Sequence, residues 1–129
     1  MKILLDTHVL LWILSDPDRL SNETHHVLVA PDNEIFLSLV SLWEIVVKRR
    51  TGKLKADLAA IIAHLAPASR IQPLALTPQH LLALDALPFH DKHRDPFDHL
   101  IIAQAITEGM VLITQDRHAS LYPVRVRFP

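Results

Sequence analysis

The sequence predicts an α/β protein in which a mainly parallel sheet lies between two layers of helices. Short apolar runs, at residues 2–5, 35–37 and 111–114, alternate along the chain with longer stretches of helical spacing. Strands that alternate with helices pair in parallel, because each helix carries the chain back to the same end of the sheet. The length of 129 residues fits one domain, spanning residues 1–129.

The first half of the chain is predicted to contain two buried strands and four helices. Residues 2–5 and 35–37 are continuous apolar runs, which is the pattern of strands covered on both faces. Thr7 and Ser21 are the predicted N-caps of the first two helices. The four helices are expected over residues 8–14, 22–30, 39 or 42 to 50, and 57–65.

The second half is predicted to begin with an edge strand at residues 71–74, because Pro73 cannot donate a ladder hydrogen bond. Thr77 and Asp95 each precede a proline, the pattern of an N-cap followed by proline at the first helical position. The helices that they begin are expected to run to about residues 87 and 108. Strands at 111–114 and 124–126 follow, separated by a short turn or helix at 117–121.

Composition excludes several classes of site. The chain has no Cys, so disulfides and thiolate metal sites are ruled out, and its 2 Gly leave no glycine-rich phosphate loop. No apolar stretch approaches the ~20 residues of a membrane span, so we expect a soluble cytoplasmic protein. Zinc is disfavoured, because the pairs His90/His93 and His25/His26 lack further ligands and histidines in loops are usually solvated.

Four carboxylates carry the functional prediction, and each lies near the point where an apolar run stops: Asp6, Glu44, Asp98 and Asp116. Ligands of parallel α/β sheets bind outside the carboxyl ends of the strands, so these acids are expected to converge at one edge. Like charges brought together repel unless a cation compensates. Oxygen ligands favour Mg²⁺ or Mn²⁺, and the combination predicts metal-assisted hydrolysis of a phosphodiester.

Helix capping is the competing interpretation for two of these acids. Asp6 could be only a cap, but Thr7 can serve in that position, which favours Asp6 as a metal ligand. Glu44 completes a capping box if Ser41 caps its helix, whereas a cap at Ser38 places Glu44 inside the helix. Both interpretations of Glu44 stay open at this point.

The pair Asp95 and Asp98 needs a choice as well. Asp95 is the predicted helix cap and Asp98 lies in the first turn, so Asp98 is preferred as the ligand and Asp95 is the second choice. The hydroxyl of Thr114, two residues before Asp116, is predicted to bond a carboxylate or the attacking water.

A basic stretch around residue 50 offers the candidates for contact with RNA phosphates. Lys48, Arg49 and Lys53 are weak candidates, since cations at a helix C-terminus are also favoured by the helix dipole alone.

Taken in order, six motifs resemble the PIN-domain ribonucleases, and among them the VapC-type toxins of bacterial toxin–antitoxin pairs. The motifs are Leu4-Leu5-Asp6-Thr7-His8, Ser41-Leu42-Trp43-Glu44-Ile45, Lys48 with Gly52-Lys53-Leu54, Asp95-Pro96-Phe97-Asp98, Ile102-Ala103-Gln104-Ala105 and Thr114-Gln115-Asp116. One departure is His99, where this branch commonly has arginine, so any basic contribution there would depend on pH.

The resemblance implies a PIN-like α/β/α sandwich and an Mg²⁺- or Mn²⁺-dependent endoribonuclease. Asp6, Glu44, Asp98 and Asp116 take the acidic positions of the family. It also implies a homodimer and a small antitoxin that inhibits the enzyme by binding it. The alternatives are a non-catalytic RNA-binding module, a housekeeping RNA-processing nuclease and a structure-specific DNA nuclease. Four intact acids disfavour the first, because an RNA binder gains nothing from a negative pocket.

Overall fold

The computed structural model of the chain describes residues 1–65 and 67–129. Five strands are β1 (Lys2–Leu5), β2 (Glu34–Ser38), β3 (Ile71–Leu74), β4 (Val111–Ile113) and β5 (Val126–Arg127). The α-helices of the described residues are α1 (Thr7–Ser15), α2 (Asn22–Val29), α3 (Leu39–Arg50), α4 (Leu58–Ala63), α5 (Pro78–Asp85) and α6 (Pro96–Glu108). Two short 3₁₀ turns cover Pro17–Arg19 and Arg117–Leu121.

The five strands form one parallel sheet in the order β3-β2-β1-β4-β5, which confirms the predicted fold class. Leu5, the last residue of β1, pairs with Leu37 of β2 and Ile113 of β4. The central strands therefore end at the same level, and the segments that follow them begin side by side. β3 lies at one edge of the sheet, as expected from Pro73.

Helices cover both faces of the sheet because the buried strands are apolar on both sides. Ile3 and Leu5 pack into a cluster with α1, α2, α3 and α4, whereas Leu4 packs on the opposite face with α6 and with Leu84 of α5. Successive side chains of a strand point to opposite faces, so one short apolar run supplies both halves of the core. None of the helices in the described part of the chain is long and apolar enough to span a membrane.

The element boundaries differ from the predicted ones at a few ends. The last strand covers Val126–Arg127 rather than residues 124–126, and α4 is shorter than predicted, ending at Ala63. Pairing with β4 sets the position of the last strand: the backbone N–H of Leu112 bonds the carbonyl oxygen of Arg125, and pairing continues from there. Pairing with a distant strand thus sets the boundaries of the last strand, which its apolar residues alone do not determine.

A buried polar chain joins α3 to α5 and α6. Ser38 caps α3 by accepting the N–H of Val40 at 3.0 Å, and its hydroxyl donates to the side-chain oxygen of Gln104. The Gln104 amide reaches Nδ1 of His80 at 3.2 Å, and Nε2 of His80 lies 2.9 Å from a carboxylate oxygen of Glu108. Satisfied buried polar groups specify one arrangement of the helices, and here they fix the start of α3.

We predict that Ser38→Ala destabilises the fold more than Ser21→Ala. Ser21 caps α2 at the surface, so its loss costs about 1 kcal/mol in the free energy of unfolding. Ser38 is fully buried, and its loss also removes the hydroxyl donor of Gln104, for a total of about 2 kcal/mol. Urea denaturation of the two variants measures the difference, and equal costs would show that the bond to Gln104 contributes nothing.

Candidate active site

The site lies where the strand order of the sheet reverses. The chain leaves β1 toward β2 and β3 on one side, and β4 and β5 lie on the other. Asp6 follows β1 directly, and Thr114 and Asp116 follow β4. The crevice between two such strands is the usual ligand site of open parallel sheets, because the following segments diverge there.

A cleft at this edge brings together all four predicted acids and the second choice, Asp95. Its lining residues are Asp6, His8, Glu44, Lys48, Asp95, Asp98, Gln115, Asp116 and Arg117. Five carboxylates therefore face two permanent cations. Four different parts of the chain contribute the acids, so only the folded protein has this concentration of negative charge.

Asp6 is held by hydrogen bonds at both of its carboxylate oxygens. One oxygen accepts the N–H of Thr7 at 2.7 Å, and the other accepts the hydroxyl of Thr114 at 2.7 Å. The prediction that Thr7 caps α1 is wrong: Asp6 occupies the cap position, and Thr7 is the first helical residue. Burial raises the pKa of Asp6, and the bonds from Thr114 and Thr7 partly offset that rise.

Glu44 lies inside α3, because Ser38 and not Ser41 caps that helix. The capping-box interpretation is therefore wrong. The Glu44 side chain is buried, with one oxygen accepting the hydroxyl of Thr7 at 2.7 Å and the other paired with the ammonium of Lys48. Glu44 is thus a fixed negative charge in the wall of the cleft.

Asp95 caps α6, as predicted, and still faces the cleft. Its Oδ1 accepts the N–H groups of Phe97 at 2.8 Å and of Asp98 at 3.2 Å. One carboxylate oxygen from each of Glu44, Asp95 and Asp98 lies within 4.8 Å of the others. The structure therefore brings both Asp95 and Asp98 to the site, and the preference for Asp98 as the ligand stays a prediction.

The crowding of acids has its largest effect on Asp98. Burial, followed by the charges of Asp6, Asp95, Glu44 and Asp116, raises the pKa of Asp98 to about 8. The ionised cleft therefore carries more negative charge than its own cations neutralise. Clustered carboxylate oxygens that repel one another are the donor set of a hard divalent cation, so the residues present fit such an ion.

His93 is the residue that the sequence interpretation missed. It was expected to be solvated and without further ligands, but it is buried, and its Nε2 lies 2.9 Å from Oδ2 of Asp116 and 3.3 Å from Oδ2 of Asp98. These three residues lie close enough together to hold a metal ion. Burial lowers the pKa of His93, although the charge of Asp116 partly offsets this. Its burial could not be predicted from the sequence, because a loop has no periodic pattern that indicates which side chains point inward.

The basic residues predicted to contact RNA do not form one surface. Lys48 points into the cleft; burial alone would lower the pKa of this ammonium, but the carboxylate of Glu44 reverses the effect and raises it. Arg49 is exposed and lines a separate groove, and Lys53 is exposed in the turn after α3. Arg117, which the sequence interpretation did not single out, lies at the cleft.

Comparison with known proteins finds a family and one curated relative. The family model of the PIN domain matches residues 3–124. The curated relative is Ribonuclease VapC22 of Mycobacterium tuberculosis, which is 29% identical over 115 residues, a span that covers 89% of this chain and 87% of the relative.

Solved structures share the fold at low identity. VapBC2 from Rickettsia felis, bound to a DNA fragment from its promoter, has a TM-score of 0.76 at 19% identity, covering 99% of this chain and 98% of that chain. DNA-bound VapBC from Salmonella typhimurium has a TM-score of 0.66 at 16% identity, with coverages of 99% and 98%. VapBC-5 from Mycobacterium tuberculosis has a TM-score of 0.59 at 22% identity, with coverages of 98% and 96%.

We predict that the metal-free protein loses stability as the pH rises from 7 to about 8. The folded chain keeps a proton on Asp98 up to about pH 8, whereas the unfolded chain releases it near the ordinary value of 3.8. The free energy of unfolding therefore falls as pH rises toward 8. The lowered pKa of His93 has the opposite effect: it makes the free energy of unfolding rise with pH. This effect is confined to pH values below about 6.5, outside the window of the prediction.

Melting temperatures of the metal-stripped protein across this pH range measure the effect. Asp98→Asn should flatten the profile, and Asp18→Asn, at an exposed position outside the cleft, should not. Parallel profiles for Asp98→Asn and the unsubstituted chain would contradict the assignment of the shift to Asp98.

Proposed function

Because the chain belongs to the PIN-domain family, we propose that it is a metal-dependent endoribonuclease and the toxin of a toxin–antitoxin pair. The observation that carries the proposal is the convergence of five carboxylates on one cleft at the switch point of the sheet. Such a cleft repels RNA phosphates unless a cation is bound, so its acids serve hydrolysis better than simple binding. The curated relative is named a ribonuclease, which supports RNA as the substrate.

Mg²⁺ or Mn²⁺ is the proposed cofactor, since the donors are carboxylates and the chain has no thiolate. Asp6, Glu44, Asp98 and Asp116 would hold it, with Asp95 as the second choice for Asp98. A bound divalent cation activates water and neutralises charge that develops on the phosphate. Thr114 holds one oxygen of Asp6, which fixes the orientation of that carboxylate.

The chain's own cations would face the RNA. Arg117 and Lys48 lie at the cleft and are suited to a phosphate there, while Arg49 and Lys53 would contact the RNA outside it. In the proposed reaction, the oxygen of water attacks phosphorus in line and the 3′ oxygen departs. The bond between phosphorus and the 3′ oxygen breaks, and that oxygen takes one proton of the water, which leaves a 5′-phosphate and a 3′-hydroxyl.

The partners are proposed from the structural relatives, whose names describe VapBC complexes. We propose a small cognate antitoxin that blocks the cleft with an Arg or Lys side chain. A guanidinium can bond carboxylates in a bidentate manner and would compete with the metal. A homodimer and a cytoplasmic location complete the proposal.

The first functional prediction is that Mg²⁺ or Mn²⁺ switches on cleavage of labelled RNA but not of DNA. Asp6→Asn and Asp116→Asn should abolish cleavage, because each removes a charge with little change in volume. Asn is as good a helix cap as Asp, so α1 should stay folded in Asp6→Asn. Asp18→Asn is the matched control and should cleave at the normal rate.

Four results would contradict parts of this proposal. Full cleavage in excess EDTA by protein shown to be metal-free would exclude the metal, and equal cleavage of DNA would favour a DNA nuclease. RNA binding without cleavage under all conditions would favour a binding module. Asp98→Asn should cost more activity than Asp95→Asn, and the opposite order would exchange their roles.

The second functional prediction concerns growth. Expression of the chain alone should stop bacterial growth, because an uninhibited endoribonuclease degrades the host's RNA, and Asp6→Asn should relieve the arrest. Co-expression with a small gene adjacent to its own should restore growth and yield a stable complex without nuclease activity. Harmless expression at confirmed soluble levels, with no small partner co-purifying, would favour a housekeeping RNA-processing nuclease instead.

A further inference from the structure

One buried imidazole connects two of the site acids. His93 is 4% exposed and lies in the loop between α5 and α6. Its Nε2 is 2.9 Å from Oδ2 of Asp116, which follows β4, and 3.3 Å from Oδ2 of Asp98, in the first turn of α6. A single ring nitrogen therefore bridges two carboxylates that separate elements carry.

The surrounding bonds determine which nitrogen of His93 carries the proton. Nε2 of His99 lies 2.6 Å from the carbonyl oxygen of His93, and a carbonyl only accepts, so His99 donates through Nε2. That nitrogen then has no lone pair for the hydroxyl of Tyr122, which lies 3.2 Å away. Among the described residues, the remaining acceptor for this hydroxyl is Nδ1 of His93, at 2.9 Å.

This order of donors leaves one arrangement that satisfies every group. Tyr122 donates to Nδ1 of His93, so Nδ1 is bare and Nε2 carries the proton. The Nε2–H then points at Oδ2 of Asp116, the nearer oxygen, and at Oδ2 of Asp98, and an ionised carboxylate only accepts. Shared between two oxygens that would otherwise repel, this N–H offsets part of the repulsion within the acidic cleft.

We propose that His93 and Tyr122 are positioning residues of the active site. Tyr122 supports one tautomer of His93 from the Nδ1 side, and the Nε2–H of His93 holds Asp98 and Asp116 in one arrangement. This inference rests on the proposed function, since it assigns a role toward a metal that these two acids would hold. His93, Asp98 and Asp116 also have the spacing of a metal site, but with a proton on Nε2 and with Nδ1 facing Tyr122, His93 would bond the two acids rather than the ion.

Core packing is the alternative explanation for the pair, and one substitution separates the two. The rings of His93 and Tyr122 are tilted against each other with centroids 5.4 Å apart. Tyr122→Phe keeps this ring contact and removes only the hydroxyl. A packing role predicts no change in the tautomers of His93, whereas a positioning role predicts a weaker preference for the Nε2–H form.

The first test reads the tautomer directly. Long-range ¹H–¹⁵N spectra of the metal-free chain at pH 9, where Asp98 is ionised, distinguish a protonated ring nitrogen from a bare one. We expect the Nε2–H form of His93 in the unsubstituted protein and a smaller share of that form in Tyr122→Phe. A proton on Nδ1 in the unsubstituted protein, or an unchanged spectrum in Tyr122→Phe, would overturn the proposal.

The second test measures the affinity for Mn²⁺ alone, by electron paramagnetic resonance of the free ion. His93→Leu removes the donor, and its affinity should fall about 10–100-fold, the range typical of lost outer-sphere partners. His93→Gln keeps an N–H near the position of Nε2 and should fall less. His26→Gln, the same substitution on the exposed surface of α2, is the control and should bind normally.

The melting temperature of each metal-free variant shows whether it folds. If His93→Leu does not fold, Tyr122→Phe decides the matter, with weaker Mn²⁺ binding at an unchanged melting temperature expected. Unchanged affinity in Tyr122→Phe and His93→Gln, or nitrogen coupling of a directly bound imidazole in the Mn²⁺ signal, would overturn the proposal. Neither test uses RNA, so a failure of the proposed nuclease function would be seen separately, as absent cleavage with the expected tautomer and affinities.

Discussion

Repulsion among five carboxylates is the constraint on which the rest of this structure depends. Asp6, Glu44, Asp95, Asp98 and Asp116 line one cleft, and like charges this close favour a protonated or expanded state. The fold holds them together by giving most of them a dedicated partner: Thr114 for Asp6, Lys48 for Glu44 and His93 for Asp116. Asp98, which is half-buried among the others, carries the large shift in pKa.

The N-termini of helices also help to hold the acids together in the cleft. Asp6 caps α1, Asp95 caps α6, and Asp116 caps the 3₁₀ turn at Arg117–Leu121. Backbone N–H groups at these starts donate to the carboxylates, and the positive end of the α-helix dipole favours a nearby negative charge. Capping and a role in the site are therefore not competing interpretations here. The same carboxylate begins a helix through one bond and presents negative charge to the cleft.

The site also depends on a polar interior that lies away from it. Ser38 begins α3 and so sets the turn on which Glu44 lies, and Ser38 is in turn bonded to Gln104 of α6. α6 also carries Asp98, so the two helices that hold these acids are fixed to each other by a buried bond. A cleft of this kind depends on the protein core, because a shift in either helix would move a carboxylate.

The sequence by itself determined the fold class and the set of acids. Apolar runs that alternate with helical stretches allow few arrangements, and acids placed where strands stop must meet at one edge of a parallel sheet. It also identified Asp95 as a cap, since Asp-Pro is a local signal. Local patterns of this kind depend only on neighbouring residues in the chain, so the sequence is enough to predict them.

Only the tertiary structure decided what depends on contacts between distant residues. It placed the cap of α3 at Ser38, gave the cap of α1 to Asp6 and turned Lys48 toward the acids. It also buried His93 under Asp98 and Asp116, where a loop sequence gives no sign of which way a side chain faces. Thr7, Thr114 and His93 bond residues on other elements. The spacing of residues within one segment cannot predict such contacts, because they form only when the elements pack together.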